Sequence, residues 1–156
     1  MATRRTWLVK TEPGSYSIDD LERDRRTCWD GVRNYQARNF MRDGMRVGDL
    51  VLVYHSGGDP PGVVGLARVC REAYPDASAL DRRSEYFDPK ATAHDPIWMM
   101  VDLEFVEKLP RMVTLAEMKA DAALRGMTLL QRGQRLSVMP IDPAHFDHIR
   151  RLSRRA

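Results

Sequence analysis

The sequence predicts an α+β domain built on a small, mostly antiparallel β-barrel with peripheral helices. Three observations carry this. Four or five segments rich in Val, Leu and Tyr are separated by short helical stretches, no regular βαβ rhythm joins them, and no internal repeat or linker divides the 156 residues. Closing the sheet into a barrel would absorb the strand edges that an open sheet leaves unpaired.

The elements follow in chain order. Thr6 to Lys10 reads as a short strand, with Trp7 and Val9 on one face and Leu8 on the other. After the Glu12-Pro13-Gly14 turn, Ser17 is placed to cap a helix through Asp24, with Asp19 and Asp20 in its positive first turn. Asn34 to Arg42 has Tyr35, Ala37, Arg38 and Met41 at helical spacing. Gly48-Asp49 marks a turn before the buried-strand pattern Leu50 to His55. The loop Ser56 to Gly62, rich in Gly and Pro, makes a sharp connection to an antiparallel neighbour, Val63 to Glu72.

Tyr74 to Pro96 carries many Asp, Pro and Ser residues and reads as irregular, with a helical turn near Ser78. Ile97 to Val106 alternates as a long strand with one wetter face. Thr114-Leu115-Ala116-Glu117 fits a capping box that opens a helix. Leu136 to Ile141 is a last strand, and Asp142-Pro143 starts the terminal helix with a cap and a first-turn proline. The whole chain, residues 1–156, reads as a single domain.

Composition narrows the function classes. A hydrophobic fraction of 43% with 30% charged residues argues against disorder and against a membrane protein. No apolar run approaches the roughly 20 residues a membrane helix needs, and Trp7-Leu8-Val9 is too short a core for a signal peptide. Cys28 and Cys70 make no disulfide framework. The expectation is a cytoplasmic protein, monomeric by preference.

The net charge is +3, carried by 21 arginines and only 4 lysines. Arginine suits bidentate phosphate recognition and base stacking, whereas GC-rich codon usage produces the same skew. The basic residues concentrate only at the ends, Arg4-Arg5 and Arg150, Arg151, Arg154 and Arg155, where they serve phosphate contact or helix solubility.

Several chemistries lose support. There is no Walker pattern and no Gly-x-Gly-x-x-Gly after a strand. His145 and His148 at i, i+3 lack the partner motifs of a zinc site, so no metal and no cofactor is expected. His55 and Ser56 are adjacent strand residues that point to opposite faces, and no nucleophile elbow surrounds them.

The informative string is Cys28-Trp29-Asp30-Gly31-Val32-Arg33-Asn34-Tyr35. Aromatic faces stack on planar rings, an amide offers both donor and acceptor, and helix-start N–H groups attract anions. The mixture suits a flat heterocycle such as a nucleobase. It equally suits a buried Trp over a turn, with Asn34 capping the helix.

Longer strings carry a resemblance. Trp7 to Pro13, Tyr16 to Leu21, Trp29 to Phe40, Val47 to Ser56, Pro61 to Gly65, Arg71 to Asp76 and Leu136 to Val138 are similar, in order and separation, to the EVE-domain family. The resemblance covers about Thr6 to Arg150. That family belongs to the PUA-like superfamily, alongside PUA, ASCH and YTH domains. It implies a small β-barrel whose mouth accepts a modified base of DNA or RNA, flipped from its stack, and it implies no reaction.

Position by position, the resemblance places Lys10 and Thr11 beside the base, Trp29 as the first cage tryptophan, and Asn34 as the polar residue that follows it. Ser56 falls on the opposite wall, and Arg135, Leu136 and Ser137 form a third pocket segment. Arg33 and Arg38, nearest in sequence to the mouth, become the expected phosphate contacts. A second cage tryptophan is not matched; Trp98 is the remaining candidate, and its strand setting fits core packing as well. The expected function is a modified-base reader, for cytosine or adenine. The alternative is an enzyme or small-molecule-binding protein acting on a nucleoside-like heterocycle in the same pocket.

Overall fold

A computed structural model describes residues 5–155 of the chain. Among the described residues six strands form one sheet: β1 (Thr6–Thr11), β2 (Arg26–Trp29), β3 (Leu50–His55), β4 (Gly62–Pro75), β5 (Met99–Thr114) and β6 (Val138–Ile141). Their order is β2-β5-β4-β3-β1-β6. Every neighbouring pair is antiparallel except β1 and β3, which run parallel in register from Thr6↔Leu50 to Thr11↔His55. The α+β class and the antiparallel majority therefore stand. Closure does not: β2 and β6 lie at opposite ends of the order, so the sheet is open and not a closed barrel. Both edge strands are only four residues long, and Pro140 in β6 sits where no full hydrogen-bond ladder is demanded.

The helices begin where short polar side chains cap them. Ser17 starts α1 (Ile18–Asp24) with a full capping box closed by Asp20. Asn34 starts α2 (Tyr35–Asn39), which runs on into a wider π-helical turn over Phe40–Gly44. Thr114 opens α3 (Leu115–Lys119), and Asp142 with Pro143 opens α4 (Pro143–Ser153). Glu117 does not complete the box at α3; its carboxylate pairs with Arg111 instead.

Two local differences from expectation have clear causes. Strand β5 runs eight residues past Val106 and through Pro110, because the β4–β5 pair is bulged between Val63 and Gly65, where a proline needs no ladder partner. Strand β2 is a polar edge segment, Arg-Thr-Cys-Trp, with no apolar run to announce it.

The core is continuous through the sheet. Leu8, Leu52, Leu66, Leu103, Met139 and Phe146 are fully buried. Trp7, Leu8 and Val9 are all buried, so both faces of β1 are covered, where alternation alone suggested two environments. Gly65 has no side chain because Ile18 of α1 lies directly on it. This packing fixes α1, and with it the loop that precedes it, against one end of the sheet.

Candidate functional site

Parallel pairing brings the C-terminal ends of β1 and β3 side by side, and the main cavity opens there. The Ser56 N–H donates to the Thr11 carbonyl at 2.9 Å, and the Lys10 N–H donates to the Ser137 carbonyl at 2.9 Å. Four residues from three distant parts of the chain are thus laid in one row by backbone hydrogen bonds. They floor a cleft of about 810 Å³, lined also by Trp29, Arg135, and the Glu12–Tyr16, Asp30–Val32 and Glu85–Tyr86 segments. That volume lies in the range of small-ligand sites, about 300–1,000 Å³.

The walls are aromatic. Trp29, the last residue of β2, meets Tyr16 edge to face, with ring centroids 6.2 Å apart and planes at 86°. Tyr16 is held by its own hydroxyl, which donates to Asp24 at 2.9 Å, and by its carbonyl, which accepts from the Thr11 hydroxyl at 2.8 Å. Burial and the Asp24 bond push the Tyr16 hydroxyl up to about 12, so it stays a neutral donor. Tyr86 forms the third ring and lies directly over Gly31, whose φ of 78° and missing side chain let the ring approach. Trp29 is only 8% exposed and packs into the main core, which makes it more buried than an open stacking wall.

The Gly31 turn is anchored from below by Asp76. This fully buried carboxylate accepts from the Gly31 N–H at 2.9 Å, from Arg33 Nη1 at 3.0 Å and from the Ser78 N–H at 2.9 Å. Burial pushes its carboxyl up, but the hydrogen bonds from Ser78, Gly31 and Arg33 together outweigh that and hold it below the usual range. Arg33 in turn donates through Nη2 to the Tyr86 carbonyl at 2.7 Å and lies between the Tyr86 and Trp98 rings, at 5.6 and 5.3 Å from their centroids. One ion pair with a fully buried carboxylate therefore sets both the turn and the third ring.

The polar groups of the cleft are mixed in sign. Glu12, Asp30 and Glu85 line it with Lys10 and Arg135. Burial, then the nearby Asp76 charge, pushes the Asp30 carboxyl up. Burial alone pushes the Lys10 ammonium down. Such groups accept from an amine and donate to a ring nitrogen or carbonyl oxygen, the pattern on the edge of a nucleobase.

Not every residue expected from the sequence reaches this cleft. Lys10, Thr11, Trp29, Ser56, Arg135 and Ser137 line it. Asn34 is outside: its side-chain oxygen caps α2 by accepting from the Ala37 N–H at 2.9 Å. Leu136 is buried between Arg135 and Ser137 and points its side chain into the core. Arg33 is consumed by Asp76 and Tyr86, and Arg38 donates to the Ile97 carbonyl at 3.0 Å and to Asn39. Trp98 lies in a separate small cluster with Ala79 and Ala91, stacked on Tyr35 at 4.8 Å.

His148 bonds Asp121 at 2.7 Å, and the described residues hold no group of three metal-ligating side chains. Arg150 and Arg154 both pair with Glu107, whereas Arg4 lies outside the described residues. No helix among the described residues is long and apolar enough to cross a membrane.

Tyr16, Asp30, Gly31 and Tyr86 also line the cleft, and the sequence did not assign them to it. Gly31 and Asp30 stood inside the singled-out string. Tyr86 sits in an irregular stretch with no periodic signal.

Comparison with known proteins agrees with this architecture. A protein from Leishmania major superposes with a TM-score of 0.92 at 48% identity, over 97% of this chain and 95% of that one. The human THYN1 protein, solved in complex with DNA containing 5-methylcytosine, superposes with a TM-score of 0.91 at 37% identity, over 97% of this chain and 99% of that one. Human thymocyte nuclear protein 1 is 40% identical over 162 aligned positions, which span 92% of this chain and 71% of that protein. With residues 5–152 matching the EVE domain model, the chain belongs to the EVE-domain family.

Proposed function

We propose that this protein is a nucleic-acid-binding module, a reader that holds one modified base of DNA or RNA in the Trp29 cleft and performs no reaction on it. The observation that carries the reading is the convergence of Trp29, Tyr16 and Tyr86 on a cleft whose rim offers both carboxylates and cations. The likeness to a protein solved with DNA containing 5-methylcytosine supports it and makes 5-methylcytosine the first base to test.

The energetics are adequate. Unstacking a base costs a few kcal/mol, and stacking on an aromatic wall returns about 1–3 kcal/mol. A buried methyl adds about 0.8 kcal/mol, which alone discriminates only a few-fold. Sharper selectivity needs hydrogen bonds to the base edge, because a wrong base then leaves buried polar groups unpaired. In this reading Asp30 and Glu12, which line the cleft, accept from the exocyclic amine of cytosine or adenine, and Ser56 bonds a ring nitrogen or carbonyl oxygen. Asn34, Arg33 and Arg38 stand outside this set, since they do not line the cleft and bond elsewhere in the fold.

The test is a titration with short single strands that carry cytosine, 5-methylcytosine, adenine or N6-methyladenine at one central position, beside the free nucleosides. The reading predicts tighter binding of one modified strand than of its unmodified twin, with no consumption of the base. Equal affinity for all four strands, or turnover of a nucleoside, contradicts it.

A further inference from the structure

A second cavity, of about 420 Å³, adjoins the first and shares Lys10 and Arg135 with it. Its walls are Tyr54 of β3, Leu115 and Lys119 of α3, and the segment 129–135 that leads toward β6. The charge contrast between the two cavities is sharp. Among the described residues the aromatic cleft carries Glu12, Asp30 and Glu85, whereas the second cavity is lined by Lys10, Lys119, Arg132 and Arg135 and by no carboxylate.

Among the described residues, none of these four cations forms an ion pair. The fold neutralises many of its other cations: Arg33 with Asp76, Arg68 with Glu104, Arg111 with Glu117 and Arg150 with Glu107. Lys10 sits deepest, with Nζ 5.9 Å from the centre of the Tyr54 ring. Burial there works against its charge, so an anion beside it restores what desolvation removes.

We propose that this second cavity holds the phosphodiester backbone of the strand whose base occupies the aromatic cleft, with Lys10 and Arg135 at the junction and Lys119 and Arg132 further along the strand. The inference rests on the base-reading function above and takes the phosphate contacts from the cations of this cavity, Arg33 and Arg38 lining neither cavity. A polynucleotide is favoured over a separate anion because the two cavities meet at shared residues, Lys10 and Arg135. The carboxylates of the first would repel a backbone laid across it, so the strand leaves toward the cations.

The test compares the protein with a Lys119→Ala, Arg132→Ala double variant, both side chains being exposed and outside the aromatic cleft. Affinity for a 5-methylcytosine strand and for its unmethylated twin is measured across a salt series, with free 5-methyldeoxycytidine as the phosphate-free probe. The double variant is expected to lose on the order of tenfold in affinity for both strands at low salt, since one charged hydrogen bond is worth about a tenfold factor or more. Its salt slope should fall by about 0.7 for each phosphate of a single strand that is no longer neutralised. Nucleoside affinity should not change. Replacing the linkages further along the strand, beyond those next to the modified base, by neutral methylphosphonates should weaken binding to the unaltered protein and have little further effect on the variant.

An unchanged salt slope and strand affinity in the variant overturns the proposal. Failure of the base-reading function looks different. The unaltered protein would then not separate the methylated strand from its twin, yet loss of salt-dependent binding in the variant would still assign the phosphates to this cavity. Absence of strand binding by the unaltered protein overturns both.

Discussion

Asp76 holds Gly31: the backbone N–H of the glycine donates to the buried carboxylate at 2.9 Å, and that bond shapes the turn on which the cleft's third ring rests. Arg33 completes the arrangement by bonding both the carboxylate and the Tyr86 carbonyl. The site thus depends on a residue 45 positions away that never touches the cleft.

Asp76→Ala should be among the most damaging single changes. Breaking a fully buried pair costs about 3–5 kcal/mol, and because Arg33 is 23% exposed the low end of that range is expected. For a domain of this size each kcal/mol lowers the melting temperature by about 2–4 °C. Calorimetry should show this drop, and base binding should fall with it.

Gly31→Ala separates the turn from the ion pair. A left-handed residue with a side chain costs about 1–2 kcal/mol. The new Cβ would also lie 2.7 Å from the Tyr86 ring, so the ring must move. The expected variant is folded but less stable, with base affinity reduced more than its modest stability loss explains. Titration together with a melting curve checks this.

Trp29 combines two roles, since it belongs to the core and lines the cleft. Trp29→Ala should cost about 3–5 kcal/mol and threaten folding. Trp29→Phe keeps an aromatic face and should cost less, about 1–2 kcal/mol, with weakened but measurable base binding. Denaturant melts and strand titrations on the same preparation read both effects.

Stability should fall on mild acidification through His55. Its Nε2 accepts from the Ile18 N–H at 3.1 Å, which requires a neutral ring, and burial holds its pKa below 6.5. The Asp19 charge opposes that shift and the Lys108 charge adds to it. Between the depressed folded value and the unfolded value near 6.5, the unfolded chain binds more protons, so stability is full above about 6.5 and declines below it. Urea midpoints between pH 8 and pH 5 should show the decline, and His55→Gln should flatten it.

Much of the fold was legible in the sequence because its signals are local. Ser17, Thr114 and Asp142 cap helices where short-range rules put them, and β3 begins and ends where its apolar run does. Barrel closure was not legible, since whether β2 meets β6 depends on global geometry and neither strand has a strong pattern. Of the cleft lining, Lys10, Thr11, Trp29, Ser56, Arg135 and Ser137 were reachable from resemblance to a family. Asn34, Arg33 and Arg38 satisfied the fold's own hydrogen bonds first, a competition that residue type alone does not reveal. Tyr86 enters the cleft only because Gly31 leaves room for it, a relationship between segments 55 residues apart.

The central claim is that a modified base enters the cleft against Trp29. The most direct measurement is an NMR experiment on a short strand whose 5-methylcytosine carries a carbon-13-labelled methyl group, bound to the full chain. Nuclear Overhauser contacts from that methyl, or from the same base's ring proton, to the ring protons of Trp29 and to those of Tyr16 or Tyr86 are the predicted result. A bound strand whose methyl shows contacts only to its neighbouring bases would contradict the account.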